Sequence, residues 1–470
     1  MSEDAPARLD PDLADRLRRR LGDESVIVDD DRLAPYRVDE FPAEPGTPLA
    51  ALRPADRDGL VAALELLAET GVAIVPRGAG SGLAGAAVPH DAVVVSTERM
   101  DRILEVDPEG RRAVLEPGVI TEEVSEAAAP HGLRYLPDPA SQGFSSVGGN
   151  VATGAGGPHC LRHGVTADHL LGLEVILPGG EPVELGRGAD GGLDLAGLFV
   201  GSEGTLGVAS RIEVRLVPRP AAVRTALALF DELEDAGRAV SEILARVVPV
   251  ALELMDGAAL EAVEASPHAA GLPTDVAAAL IVETEGFEEE AEADLMTAGE
   301  ALAEAGAREI LAAADPGQRE RLWKARREAY HALEPLAPSV LVQDMTVPRT
   351  ALPELLPKVR EIADELELRV VNFFHAGDGN LHPNFLFDGS DPEEVERVHE
   401  ATGRIARLCV EAGGTITGEH GVGLDKKGLM PLIFSRDELR LQRRVKRAFD
   451  PADRCNPGKV FPDEEEDAAA

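Results

Sequence analysis

Residues 76–89 read PRGAGSGLAGAAVP and lie between two apolar runs, VAIVP (72–76) and AVVVS (92–96). Gly80, Gly82 and Gly85 spell G-x-G-x-x-G, so a nicotinamide-binding unit is the first reading to test. The flanks reject it. That fingerprint opens a helix, whereas here Ala-Val-Pro-His leads within a few residues into a second strand. The physical content survives: glycines let consecutive backbone N–H groups converge on a diphosphate without a cationic side chain.

Two further turns extend the pattern. PDPASQGFSSVGGNVATGAGGPHCLRHGV (137–165) clusters Gly and Ser around Asn150, and LFVGSEGTLGV (198–208) adds another Gly-Ser-Gly turn between strands. Three such turns suit a long ligand, a dinucleotide better than a mononucleotide. An acidic chain gains from this mode of binding. Its 470 residues carry 46 Lys+Arg against 85 Asp+Glu, a formal charge of −39, which argues against nucleic acid as a partner. Only six of those cations are lysine. The balance reads as a salt-adapted surface, whose self-repulsion high ionic strength would screen.

Cys160, Cys409 and Cys455 form no C-x-x-C pair, which excludes a disulfide framework, a thiolate zinc site and a cluster held by this chain alone. The N-terminus MSEDAPARLDPDLADRL shows no leader pattern, and no run of about 18 apolar residues occurs, so a cytoplasmic location is expected, free or peripheral to a membrane through an acceptor.

Outward from the glycine turns, residues 10–21 predict a helix capped by Asp10 with Pro11 at its first position, and 55–70 a second with Leu60, Ala63, Leu64 and Leu67 on one face. RILEVD and RAVLEPG alternate like a strand pair, and LLGLEVILP and VASRIEVRLVP read as strands. Beyond VPRPAAV (217–223), strands such as VALELM and AALIVETEG alternate with Ala/Glu helices such as 288–305. The fold class expected is α+β. The divisions expected are an N-terminal helical segment (1–40), a ligand-binding domain (41–219), a cap domain (220–434), a C-terminal segment (435–462) and a disordered acidic tail (463–470).

RVVNFFHAGDGNLHPNFLF (369–387) predicts a hairpin around Gly-Asp-Gly-Asn with His375 and His382 on either side, and GGTITGEHGVG (413–423) sets Glu419 beside His420. Two imidazoles and a carboxylate suit zinc, manganese or iron and leave positions open for substrate. RLWKARREAY (321–330) places Arg326 and Arg327 on a helix after Trp323, and a guanidinium can grip a carboxylate bidentately.

Together P-R-G-A-G-S-G-L-A-G, S-V-G-G-N with A-G-G-P-H-C-L-R-H-G-V, V-G-S-E-G-T-L-G and N-P-G-K-V-F-P resemble the FAD-linked oxidases of the vanillyl-alcohol oxidase superfamily. The branch they resemble is the FAD-dependent D-2-hydroxyacid dehydrogenases: D-lactate dehydrogenase, the glycolate oxidase flavin subunit and D-2-hydroxyglutarate dehydrogenase. The resemblance covers about residues 40 to 462. It implies a two-subdomain FAD-binding domain, an α+β cap over the isoalloxazine, and a C-terminal segment returning to the flavin. Arg77, Gly78, Ala79, Gly80, Ser81 and Gly82 would hold the diphosphate. Pro137, Ser141, Gly148, Gly149, Asn150, Glu203, Gly207 and Val208 would line the flavin, joined by Asn456 and Lys459. Residues 77–87 contain no His, so the FAD is expected to be non-covalent.

The resemblance also assigns roles in the cap: His375, His382 and Glu419 to the metal, His420 to the base, Asn384 to substrate and Arg326 to its carboxylate. The chain departs from the pattern at Gly154, where many relatives have Asn, and at His163, where Tyr is common. It also shows Val342 and Tyr330 where relatives acting on longer diacids have Lys and Thr. The expected substrate is therefore D-lactate or glycolate rather than D-2-hydroxyglutarate, oxidised by hydride transfer to flavin N5. The expected acceptor is a quinone, an electron-transfer flavoprotein or an iron–sulfur subunit, and a homodimer is left open. The competing readings are a glycolate-oxidase flavin subunit inert without partners, a non-redox transferase like alkylglycerone-phosphate synthase, and a non-catalytic binding protein.

Overall fold

The computed structural model describes residues 8–42, 45–186 and 192–463, so the expectation for the acidic tail lies outside the described residues from 464 on. The chain forms two compact units. The first takes the described residues up to Gly156, Val165–Arg219, and those from Glu419 onward; the second takes Gly157–Gly164 and Pro220–Gly418.

In the first unit, strands Thr47–Leu52, His90–Ser96 and Ile74–Arg77 lie side by side and parallel, with Val26–Ile27 antiparallel at the edge. Parallel strands are covered on both faces. That is why AVVVS is an unbroken apolar run, with Val93, Val94 and Val95 all fully buried. Helix Arg57–Thr70 is capped by Asp56 accepting from Gly59 N and ended by Gly71 in the left-handed region. Its expected face, Leu60, Ala63, Leu64 and Leu67, is buried, and shares a core with Leu13 and Leu17 of helix Pro11–Leu21, itself capped by Asp10.

A second, antiparallel sheet runs in the order Ile103–Asp107, Arg112–Leu115, Val208–Arg215, Leu170–Ile176, Pro182–Gly186, over a core that includes Leu115, Val151, Val175, Phe199 and Ile212. The C-terminal stretch rejoins the parallel sheet. Ile74 N donates to Arg454 O at 2.8 Å and Asn456 N to Ile74 O at 2.7 Å, forming a parallel bridge between Ile74 and Cys455.

The second unit is built on an antiparallel sheet whose central strands are Ala222–Phe230, Ala278–Gly286, Ala251–Asp256 and Arg369–His375. Helices Leu233–Leu244, Glu288–Glu304 and Leu352–Glu365 supply buried Ala, Val, Leu and Ile side chains to its core. The α+β class read from the alternation is the one observed. Among the described residues no helix is long and apolar enough to cross a membrane.

Candidate active site

The first glycine turn leaves strand Ile74–Arg77 and runs half-buried. Among the described residues, the backbone N–H groups of Gly78, Ala79, Gly80, Ser81 and Gly82 donate to no protein acceptor. Consecutive amides in that state are donors available to an anion. Gly78 is required by contact: a Cβ there would lie 2.4 Å from Ser146 Oγ and 3.3 Å from Gly149 N. Ser146 in turn caps the short helix Val147–Thr153, and Asn150 Nδ2 donates to Thr121 Oγ1 at 2.7 Å. Gly148 abuts Pro117, where a Cβ would meet Pro117 Cβ at 2.6 Å. Pro137 is buried ahead of this turn, and Ser141 O accepts from Ser145 N at 2.7 Å. The two turns thus meet through small residues, and the surface they form is mostly main chain.

Arg77 is placed differently from Gly78–Gly82. Its guanidinium donates to Val38 O (2.8 Å) and Pro35 O (3.0 Å) and lies 5.9 Å from the Tyr36 ring centroid. The residue fastens the loop to the 35–38 segment.

Glu203 is a hub. Held at φ 51° and buried, it accepts from Val422 N (2.7 Å) and Gly423 N (2.8 Å) through separate carboxylate oxygens, and its carbonyl accepts from Asn456 Nδ2 at 2.7 Å. Burial pushes its carboxyl up to about 7 against the pull of those amides and of Lys426 and Lys459. Lys459 donates to Val88 O, and burial lowers its ammonium to about 8. Asp39 accepts from Phe41 N and Ala87 N, and burial raises it to about 6. Gly207 and Val208 lead into the antiparallel sheet, Val208 opposite Ile176. The neighbouring loop carries Glu419, whose Oε2 accepts from Gly156 N at 3.1 Å, and His420, with Nε2 4.0 Å from Glu419 Oε1.

In the second unit, Arg369–His375 turns back into Asn380–Leu381 and Pro383–Phe387, the expected hairpin. The His375 and His382 rings stand 5.2 Å apart at 87°. Each imidazole is oriented through Nδ1. His375 Nδ1 lies 2.8 and 2.9 Å from the two oxygens of Glu253, and His382 Nδ1 lies 3.0 Å from Gln343 O. Both partners are acceptors, so Nδ1 is the donor in each ring, the orientation in which a carboxylate or a carbonyl fixes a histidine that binds metal through its other nitrogen. Asp344 accepts from Thr417 Oγ1 (2.6 Å) and Gly418 N (3.0 Å), and its Oδ1 is 3.9 Å from His382 Nδ1. Asp344 and His382 offer a carboxylate oxygen and a ring nitrogen, and so, on their own loop, do Glu419 and His420, donor types that a metal ion uses. The donor chemistry fits a borderline divalent cation.

Arg326 is buried, pairs with Glu253 at 2.8 Å and stacks 5.2 Å over Phe373. Asn384 Nδ2 donates to Val371 O and His382 O, while its buried Oδ1 has no partner among the described residues. Glu253, Asp344 and Asp39 escaped the sequence reading. Glu253 sits inside the apolar strand VALELM, where only the interruption of its apolar run by a charge hinted at a role.

Residues 219–460 match the family of FAD linked oxidases, C-terminal domain, and residues 48–186 an FAD binding domain. The chain is 42% identical over 450 residues to the glycolate oxidase subunit GlcD of Escherichia coli (strain K12), covering 95% of this chain and 90% of that one. It is 33% identical over 439 residues to the D-lactate dehydrogenase of Archaeoglobus fulgidus, covering 90% and 95%. Its fold is similar to that of p-cresol methylhydroxylase solved with substrate bound, with a TM-score of 0.82 over 97% of both chains at 17% identity.

Proposed function

Since the chain belongs to the FAD-linked oxidase family, we propose that it is an FAD-dependent dehydrogenase that oxidises a small D-2-hydroxy acid, D-lactate or glycolate, to the 2-oxo acid. The observation that carries this reading is the pair of imidazoles at His375 and His382, each tied down at Nδ1, in a chain whose relatives are named for glycolate and D-lactate.

Bound FAD supplies the hydride acceptor at N5. The amides of Gly78, Ala79, Gly80, Ser81 and Gly82 would take its diphosphate, with Arg77 bracing the loop. Pro137, Ser141, Gly148, Gly149, Asn150, Glu203, Gly207, Val208, Asn456 and Lys459 complete the proposed binding set. With no His in residues 77–87, attachment is non-covalent. A divalent ion, zinc with manganese or iron as alternatives, would be held by His375, His382 and Glu419 and would acidify the substrate hydroxyl. His420 then needs only ordinary basicity to remove that proton. Arg326 keeps a buried Nε with no partner among the described residues, an edge available to a carboxylate. The buried Oδ1 of Asn384 costs about 1–3 kcal/mol while unsatisfied, which favours a ligand donor there. Val342, opposite Asn384 in register, offers no charge to a second carboxylate; this favours a monocarboxylate over D-2-hydroxyglutarate.

The test is stopped-flow bleaching of the flavin by D- and L-lactate, glycolate and D-2-hydroxyglutarate, with and without chelator. D-lactate or glycolate should bleach fastest, chelator should suppress the reaction, and His420→Ala should slow it by about 10²-fold or more. Equal rates in the variant would remove His420 from its role. A second reading, a flavin subunit that needs partners to turn over, is favoured by the word "subunit" in the name of the 42% identical relative. Turnover of the isolated chain with a dye acceptor decides between the two.

A further inference from the structure

We infer that Glu253 is a positioning residue whose single carboxylate sets both the tautomer of His375 and the pose of Arg326, coupling metal affinity to carboxylate binding. The inference rests on the metal reading above and extends it to a residue outside that set.

Strand Ala251–Asp256 pairs with Arg369–His375 in a register that puts Glu253 directly opposite His375. Directly opposed residues are the closest side-chain neighbours a sheet provides. Glu253 is fully buried. Its Oε1 and Oε2 lie 2.8 and 2.9 Å from His375 Nδ1, and Oε2 is also 2.8 Å from Arg326 Nη2. A carboxylate at this depth needs partners, and the Arg326 guanidinium and the His375 imidazole supply them. Both carboxylate oxygens face His375 Nδ1 as acceptors, which orients the ring. Phe373, two residues before His375 on the same strand, stacks under Arg326 and limits its rotation. Moving any one of the three therefore disturbs the other two.

Glutamine at position 253 preserves shape but would set an amide N–H against either the imidazole N–H or the guanidinium. The strain is relieved if His375 moves its proton to Nε2, which cannot then bind a metal. Zinc affinity of the FAD-loaded protein, measured by competition with a chromophoric chelator, should fall roughly 10–100-fold in Glu253→Gln. The KM for D-lactate should rise in the same variant, and FAD per chain should not change. If His375→Ala binds zinc as the wild type does, the metal reading itself falls. If His375→Ala loses zinc and Glu253→Gln keeps wild-type affinity, the role of Glu253 is overturned while the function stands. An unchanged KM alongside weakened zinc binding overturns the coupling to Arg326. Should Glu253→Gln not fold, the wild type still decides: histidine nitrogen resonances, assigned by their loss in His375→Ala, must show His375 protonated at Nδ1, and protonation at Nε2 sinks the inference.

Discussion

A methyl group at Gly78 would run into the Ser146 hydroxyl, which the cap bond from Gly149 N holds in place, and would press on the backbone of Gly149 behind it. Gly78→Ala should therefore displace the loop and lose FAD, read as the flavin-to-protein absorbance ratio after gel filtration, with the far-ultraviolet circular dichroism unchanged. Gly71→Ala is the control. Its φ of 71° makes a side chain costly by about 1 kcal/mol, yet nothing lies near its Cβ, so FAD should be retained. Glu203 gives a second prediction. Glu203→Gln can satisfy only one of the Val422 and Gly423 amides and turns a donor toward the other, at a cost of about 1–3 kcal/mol. The loop bearing His420 should loosen, seen as faster amide exchange at Val422 and Gly423 and a lower rate of flavin reduction. The tight turns at Gly78 and Gly148 and the hairpin carrying His375 and His382 were legible, because close backbone approach and a tight strand reversal favour particular residue types. Asp39 and Glu253 were not, because each takes a deciding partner from far along the chain, Ala87 for one and Arg326 for the other.

At the scale of elements, the short helix Cys160–His163 is fastened to strand Ala278–Gly286 by a match of periods. His159 and His163, four residues apart, reach Glu283 (3.2 Å) and Glu285 (2.8 Å), two residues apart. Four helical residues rise about 6 Å and two strand residues about 6.6 Å, so both pairs close together. Glu283 also accepts from Thr225 Oγ1, Trp323 Nε1 and both arms of Arg319. Burial alone would raise its carboxyl, but the donors from His159 and Arg319 outweigh it and bring it to about 2. A depressed carboxylate stabilises the fold above its unfolded value near 4.5 and loses that contribution as pH falls toward 2, here about 3 kcal/mol. The melting-temperature gap between wild type and Glu283→Gln should accordingly narrow as pH drops from about 5 to about 3; a constant gap would show that Glu283 is not titrating there. Periodicity exposed most strands and helices in advance, since their burial follows the alternation of apolar residues. The rung between Cys455 and Ile74 was not readable that way, because a single bridge has no period.

For the whole molecule the governing quantity is the formal charge of −39. The arginines answer it locally, in pairs such as Arg246–Glu304, Arg308–Asp275 and Arg404–Glu365 on solvent-facing side chains. Exposed pairs of this kind contribute about 0–1 kcal/mol each, and pairing leaves the acidic excess in place. That excess repels itself over the Debye length, roughly 10 Å at 0.1 M salt and 3 Å at 1 M. Raising KCl from dilute buffer to molar concentration should thus raise the melting temperature, steeply at first and then less, as screening saturates. Sulfate at equal ionic strength serves as the control, because preferential exclusion continues to rise with concentration where screening does not. A melting temperature indifferent to KCl would mean that the acidic surface serves solubility alone. A rise that saturates would mean that this fold depends on its ionic surroundings, and FAD retention should then follow the same salt curve, because the proposed diphosphate loop Gly78–Gly82 continues strand Ile74–Arg77 of the parallel sheet.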